Sequence, residues 1–259
     1  MIIRKACSKD IAWIEEYAKR DPETQVLVLH DIRHERDRSD FYVAISDDDL
    51  EGFMVVYKGF GYFYSVLIEA GNKDVVLELV KTYKYTYGDY PAIIHVLDHF
   101  ADAVRDLLNI SSTYNYLVMA LRKEVPRRVF KPPEGYITKL KGNELGELEY
   151  SREVGSRLKR LLEPYGIVVN GKIVAIGGYC AMEPEAYMVC GVYVEPDYRG
   201  RGFGKAISSI LVEEAFKHTD IVTLWVREDN YPAVYAYIGI GFKTVRRNTW
   251  INIGIDKKP

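Results

Sequence analysis

Cysteine is scarce in this sequence, which contains only Cys7, Cys180 and Cys190 among its 259 residues. Three cysteines are too few for a disulfide scaffold, and their spacing matches no zinc or iron–sulfur motif. Counting outward from the turn near Glu183 places Cys180 roughly opposite Cys190 in a hairpin. We expect these two to be reduced thiols packed in a sheet.

Long apolar runs and an excess of charge of one sign are also missing. No segment approaches the roughly 20 apolar residues that a membrane-spanning helix needs. The N-terminus, MIIRKACSKDIAWIEEY, is charged too often for a secretory signal peptide. The net charge of −2 gives no reason to expect nucleic acid or an anionic membrane as a partner. We therefore predict a cytoplasmic protein that binds neither nucleic acid nor membrane.

Two candidate metal sites fail on the identity of their residues. The stretch DDDLEG (47–52) begins like a calcium loop, but its twelfth position is Lys58 instead of glutamate. His30 and His34 have the spacing of zinc ligands on a helix, but the internal glutamate and a third ligand are missing. We predict no metal.

The length is sufficient for two domains, each with its own core. The segment PRRVFKPPEG, from Pro126 to Gly135, combines three prolines with three cations and reads as an extended linker. We place it at 126–134, between domains at 1–125 and 135–259. Hydrophobic periodicity gives both halves the same order of strand, helix, three strands, helix, strand, helix and strand. The predicted class is a mixed α+β fold.

In the second half, the pattern predicts several elements. Asn143 caps a helix that reaches about Leu162, and Asn170-Gly171 is a strong hairpin signal. AYMVCGVYVEP (186–196) reads as a strand, and Lys205–His218 as a helix. GFKTVRRNTWINI (241–253) reads as a closing pair of strands.

The stretch PDYRGRGFGKAI (196–207) places three glycines where that strand passes into a helix. A Walker loop would need Ser or Thr after Lys205, and the dinucleotide fingerprint fails in both registers. Arg199-x-x-Gly202-x-Gly204 fits a pyrophosphate-binding pattern. Glycine permits positive φ, so that backbone N–H groups can wrap an anion at a helix N-terminus. A glycine-rich turn without a ligand is the alternative.

A second motif follows downstream, where Asn230, Ala233, Tyr237 and Gly241-Phe242 read as Asn-x-x-Ala-x-x-x-Tyr-x-x-x-Gly-Phe. With VEPDYRGRGFGKAI upstream, residues 135–259 resemble the GNAT superfamily of acyl-CoA-dependent N-acyltransferases. The resemblance implies two GNAT-like domains, each a mostly antiparallel twisted sheet flanked by helices. The first half has AGNKD in place of the glycine loop and resembles a degenerate copy. The arrangement is similar to the glycine acyltransferase-like branch, whose active domain is C-terminal.

The resemblance also implies a path for acetyl-CoA, which would be the cosubstrate. Its pyrophosphate would bind the amides of the glycine loop, and its pantetheine would pair along the preceding strand. The family opens a wedge there, next to the strand IVTLWV (221–226). The implied cofactor-binding residues are Val192, Tyr193, Val194, Arg199, Gly200, Arg201, Gly202, Phe203, Gly204, Lys205 and Asn230. Asn230 reads equally well as a helix cap.

For catalysis, Tyr237 occupies the position of the family's general acid, with a packed core tyrosine as the alternative. The base is not evident, because Met188 and Trp225 fall near positions where some family members carry glutamate. We expect the remaining nearby carboxylates, Glu183, Glu185 and Glu195, to be solvated.

The resemblance thus implies an N-acetyltransferase that moves an acetyl group from acetyl-CoA to a primary amine by direct attack on the thioester. The amine would belong to an amino acid, a small amine or a peptide N-terminus. An acyl-CoA-binding protein with little transferase activity is the alternative.

Overall fold

A computed structural model describes residues 1–47, 49–141 and 148–255. The strands are β1 (Ile2–Lys5), β2 (Ser39–Ser46), β3 (Asp49–Tyr57), β4 (Tyr64–Ala70), β5 (Ala92–Leu97), β6 (Ile110–Arg122), β7 (Tyr136–Lys139), β8 (Leu162–Val169), β9 (Lys172–Glu183), β10 (Ala186–Val194), β11 (Ile221–Arg227) and β12 (Lys243–Ile253). The helices are α1 (Ser8–Arg20), α2 (Pro22–His34), α3 (Lys73–Tyr87), α4 (Ala101–Val104), α5 (Arg152–Leu158), α6 (Phe203–Ala215) and α7 (Tyr231–Ile240).

The chain forms two compact units that do not follow the order of the sequence. Unit 1 contains Met1–Asp21, Val28–Leu117 and the segment from Arg246 onward, whereas unit 2 contains Pro22–Leu27 and Val118–Val245. Most of β12 therefore belongs to unit 1, and the end of β6 belongs to unit 2. The sequence-based domains at 1–125 and 135–259, with a linker at 126–134, stay a prediction. The compact units differ from these domains because Pro22–Leu27 and the end of β6 belong to unit 2, whereas the segment from Arg246 onward belongs to unit 1.

Unit 1 is a sheet with helices on both faces. Its strand order is β1-β2-β3-β4-β5-β12, and β4–β5 is the parallel pair. Side chains alternate between the faces along each strand. On β2, Tyr42 and Ala44 pack in the cluster that contains α3. Phe41 and Val43 pack instead with apolar residues of α1 and α2.

Unit 2 positions the candidate site. Its strands lie in the order β6-β11-β10-β9-β8-β7, antiparallel from β7 to β10 and parallel between β10 and β11. Ile167 and Val169 of β8 pack with α6, whereas Val168 packs with Val154 of α5. Consecutive residues of one strand thus meet different helices, so α5 and α6 cover opposite faces. This mixed, mostly antiparallel architecture confirms the predicted fold class.

The structure corrects three sequence-based elements. Of the helix predicted from Asn143 to about Leu162, the described residues 148–162 are helical only at Arg152–Leu158, because Ser151 Oγ accepts from Val154 N (3.2 Å) and Leu162 already pairs in β8. Asn143 itself lies outside the described residues. The predicted closing pair of strands is the single strand β12. Helix α2 was not predicted because Val26–Leu29 form a run of four consecutive apolar residues, although Ile32 has helical spacing from Val28 and Leu29.

The described helices include none that is long and apolar enough to cross a lipid bilayer.

Candidate functional site

The glycine loop joins β10 to α6 through a short 3-10 turn at Pro196–Tyr198. Gly200 and Gly202 adopt φ values of +73° and +98°, which side-chain-bearing residues rarely adopt. A Cβ added at either glycine would meet no heavy atom of the described residues within 4 Å. The surface above the loop is therefore open, and glycine is required there for backbone conformation instead of close packing.

Helix α6 begins without a capping side chain. Its N-cap residue is Gly202, which has no side chain to accept from the first amides of the helix. The first intrahelical bond runs from Ala206 N to Gly202 O at 3.0 Å. The N–H groups of Phe203, Gly204 and Lys205 lie in the first turn, where an α-helix leaves its donors unsatisfied and its dipole favours an anion.

The three predicted cations differ in their contacts. Arg199 Nε donates to the Val194 carbonyl oxygen at 2.9 Å. Arg201 forms an ion pair with Glu134, with 2.5 Å between Nη2 and Oε1. Within the described residues, neither Arg199 nor Lys205 has a carboxylate partner. Both positive charges therefore remain available to an anion at the loop.

Strands β10 and β11 stop pairing with each other just ahead of this loop, and we call the space between their unpaired ends the cleft. The two parallel strands pair at Tyr187–Val222, Met188–Thr223 and Val189–Leu224, and their pairing ends there. Strand β10 continues to Val194 and β11 to Arg227, but no further residues of these two strands pair with each other. Beyond Val189, the edge of β10 that faces β11 can hydrogen-bond to an added extended chain. The predicted residues Val192, Tyr193 and Val194 lie on this edge.

A bulge accompanies the divergence of the strands. On its other edge β10 pairs with β9, and the register shifts between Cys190 and Tyr193. Gly191 adopts φ +62°, as extra residues in bulged strands often do. Val192 and Val194 pack with the α6 cluster, whereas Tyr193 packs with the α5 cluster, beneath the Arg157 guanidinium at 4.8 Å.

Tyr237 lies on α7 and is buried, with 8% of its surface exposed. Burial raises the pKa of its phenol to about 12, and the Ser208 hydroxyl of α6 opposes part of that shift. The ring also contacts Phe242, with 5.8 Å between centroids. A buried, protonated phenol suits a general acid and a packed core tyrosine alike, so its catalytic role stays a prediction.

Asn230 caps α7, which is one of the two roles that the sequence suggested for it. Its Oδ1 accepts from Ala233 N at 3.4 Å, and its side chain is otherwise exposed. Contact with a cofactor stays a prediction for this residue.

The open loop, the uncapped start of α6 and the cleft occur in one segment of the chain. Residues 131–242 match the acetyltransferase (GNAT) family. The GNAT match contains β10, the glycine loop, α6, β11 and α7, so it covers every predicted site residue.

Individual relatives agree with the GNAT fold. The ribosomal protein bS18-alanine N-acetyltransferase of Escherichia coli K12 is 34% identical over 88 residues, 32% of this chain and 58% of that protein. The chain thus matches little more than half of that curated relative. A solved Drosophila protein superimposes with a TM-score of 0.73 at 15% identity, covering 99% of both chains. A tandem GNAT protein from the clavulanic acid pathway gives 0.58 at 14% identity, also covering 99% of both.

The segment that matches the GNAT family contains a disulfide between two cysteines that we expected to be reduced thiols. Cys180 of β9 and Cys190 of β10 are bonded, with their Cα atoms 5.7 Å apart. The turn correctly indicated that they face each other, and strand pairing brings them within the span of about 4.4–6.8 Å that a disulfide bridges. The prediction of free thiols is therefore corrected.

Two carboxylates that we expected to be solvated are buried. Glu183 is 1% exposed and Glu195 is 8% exposed. Tyr193 donates its hydroxyl to Glu195 Oε2 at 3.4 Å, and the backbone carbonyl of Glu195 accepts from Tyr198 N. The Glu195 side chain is thus buried beside Tyr193, and its backbone carbonyl is bonded within the 3-10 turn that follows. Its position next to a proline gave no sign of this burial.

Proposed function

We propose that residues 135–259 form an N-acetyltransferase that moves an acetyl group from acetyl-CoA to a primary amine by direct attack on the thioester. The observation that carries this proposal is the open, positive-φ loop at the uncapped start of α6, next to the cleft beyond Val189–Leu224. Together they offer donors for a pyrophosphate and a free strand edge for a pantetheine arm. Residues 1–125 are proposed to be a degenerate copy, as in the glycine acyltransferase-like branch.

Acetyl-CoA would supply an acetyl thioester whose carbonyl carbon is electrophilic. Backbone N–H groups of Val192 to Val194 would then hydrogen-bond to the oxyanion that develops on the carbonyl oxygen. Tyr237 would donate its proton to the departing thiolate; burial raises the pKa of its phenol to about 12, so the phenol is protonated at neutral pH. The attacking amine would lose its proton to solvent, and solvent would return a proton to the tyrosinate. Arg199, Lys205 and the amides of residues 203–205 would hold the pyrophosphate.

The direct test is release of CoA thiol by the purified protein with acetyl-CoA and a panel of amines. We expect thiol release to depend on the amine and to yield an acetylated amine detectable by mass spectrometry. Hydrolysis at the same rate with and without any amine would contradict the proposal.

An acceptor with a low amine pKa suits this site best. Met188 and Trp225 stand in an apolar cluster, so neither offers a base near the acyl group. At pH 7, deprotonating a lysine-type amine costs about 4.6 kcal/mol, against about 1 kcal/mol for an α-amine. We therefore propose a peptide N-terminus as the acceptor, because the amine of a free amino acid lies beside a carboxylate and is nearly as basic as a lysine side chain. The relative from E. coli is named for acetylation of an alanine of a ribosomal protein.

We expect α-amines to be acetylated faster than lysine side chains near pH 7, by up to several hundred-fold if the neutral amine fraction alone decides. Matched peptides with one free amine, either the N-terminus or a lysine, would be compared by initial rates between pH 6.5 and 9. The advantage should shrink as the pH rises. A lysine peptide that reacts faster at pH 7 would rule out this acceptor class.

A binding protein with little transferase activity is the second candidate, and the missing carboxylate at Met188 and Trp225 favours it. In that case acetyl-CoA would bind, but no amine would accelerate thiol release.

We expect one CoA to bind per chain, in unit 2. In unit 1, Asn72 caps α3: its Oδ1 accepts from Val75 N at 3.0 Å and so satisfies a first-turn amide. The equivalent start of α6 has no such cap. Titration calorimetry should give one site for acetyl-CoA, and two equivalent sites would show that unit 1 is not degenerate. Cytoplasmic location and the absence of a metal remain predictions.

A further inference from the structure

The Cys180–Cys190 disulfide lies where the cleft begins. Val189 and Leu224 are the last paired residues of β10 and β11, and Cys190 is the next residue of β10. The bulge follows at once, with Gly191 at φ +62°. The disulfide therefore joins β9 to β10 at the apex of the cleft.

The disulfide is on the face of the sheet away from α6. On β9, Tyr179 faces α6, since its hydroxyl donates to the Leu211 carbonyl oxygen at 2.6 Å. Cys180 packs instead with Met188 and Trp225. Both bonded cysteines are only half-buried, so the bond is within reach of a small nucleophile.

A chain that follows the free edge of β10 from the glycine loop reaches this bond. From Val194 to Cys190 an extended strand spans about 13 Å, which is within the reach of a pantetheine arm. Such an arm ends in a thiol when the acetyl group has been transferred. CoA, the product of the proposed reaction, thus places its nucleophilic thiol near the apex of the cleft.

We propose that the Cys180–Cys190 disulfide is a covalent capture site for the thiol of CoA. This inference rests on the proposed function, because it requires CoA to bind along β10. The thiolate of CoA attacks Sγ of Cys190, a new disulfide forms between CoA and Cys190, and Cys180 leaves as a thiolate that takes up the proton. No external oxidant is needed, since one disulfide replaces another.

Binding makes the exchange selective for CoA over other thiols. A thiol held by its nucleotide at the glycine loop has an effective concentration on the order of millimolar at the apex. The captured CoA fills the cleft and excludes acetyl-CoA until a second thiol releases it. Accumulated CoA would in this way inhibit the enzyme reversibly.

The experiment uses the oxidised full-length chain with Cys7→Ser, because Cys7 is a free, exposed cysteine. CoA is added without reductant, and intact mass is followed. We expect a gain of the whole mass of one CoA, located on Cys190 by peptide mapping and removed by dithiothreitol. The rate should rise close to tenfold per pH unit below the thiol pKa, because the thiolate is the nucleophile.

Three comparisons make the result decisive. Acetyl-CoA, which has the same nucleotide but no thiol, should give no adduct. Glutathione at equal concentration should react at least about tenfold more slowly. Cys180→Ser should give no adduct with CoA, since its Cys190 is no longer part of a disulfide. Equal rates for CoA and glutathione would overturn directed capture.

Calorimetry with acetyl-CoA separates the two proposals. If acetyl-CoA binds once per chain but CoA forms no adduct, the capture site is overturned and the proposed function stands. If acetyl-CoA does not bind, the proposed function fails as well.

Discussion

Replacing Tyr237 by phenylalanine should lower turnover by about 10²–10⁴-fold while leaving the Kd for acetyl-CoA nearly unchanged. The phenol is the predicted donor to the departing thiolate, and burial holds its pKa at about 12. Phenylalanine keeps the ring packed against Phe242 and removes only the proton donor. Steady-state thiol release and calorimetry would measure the two quantities separately.

Tyr235→Phe is the matched control for this change. Tyr235 is on the same helix, but it is 68% exposed. Its loss should alter neither turnover nor affinity. Because a pKa near 12 keeps Tyr237 protonated, its ionisation should not reduce the wild-type rate between pH 7 and 10. If the Tyr237→Phe enzyme turned over at the wild-type rate with an unchanged melting temperature, Tyr237 would be a core tyrosine only.

Gly202→Val should raise the Kd for acetyl-CoA at least about tenfold. Gly202 has φ +98°, and the left-handed region costs an L-residue roughly 1–2 kcal/mol. The loop would relax towards negative φ, which turns its N–H groups away from a shared anion. The new side chain would also occupy the open space above the loop, where the described part of the chain has no heavy atom within 4 Å. Calorimetry with acetyl-CoA measures the change.

Gly171→Val provides a control with comparable strain at another place in the same unit. Gly171 has φ +79° and equally open surroundings at the tip of the β8–β9 hairpin. Both variants should lose a similar amount of thermal stability, but only Gly202→Val should lose affinity. Equal affinity in the two variants would mean that the glycine loop does not grip the nucleotide.

Much of the fold was predictable because local chemistry decided it. Asn170-Gly171 specified its hairpin, since both residues accept positive φ. The glycine loop was predictable for the same reason. The helix at 152–158 was misplaced because its boundaries depend on the Ser151 cap and on the pairing of Leu162 with Tyr179 in the sheet. Leu162 and Tyr179 are far apart in the sequence, so no short stretch of residues indicates that they pair.

The candidate site also has features that the sequence predicts and features that it does not. The motifs that contain Gly202 and Tyr237 could be recognised from the sequence. The end of pairing at Val189–Leu224 was expected from the family resemblance, and its position required the register of two strands. The burial of Glu195 could not be read from its position before a proline, since it depends on packing beside Tyr193.

By itself, the sequence determined the hairpin turn at Asn170-Gly171 and which residues form the glycine loop, because these depend on neighbouring residues. Only the tertiary structure decided that most of β12 belongs to unit 1, that Cys180 and Cys190 are bonded, and that the cleft begins next to them. Each of these depends on which strands pair and in which register. That choice is made by burial summed over whole sheet faces and not by any short stretch of residues.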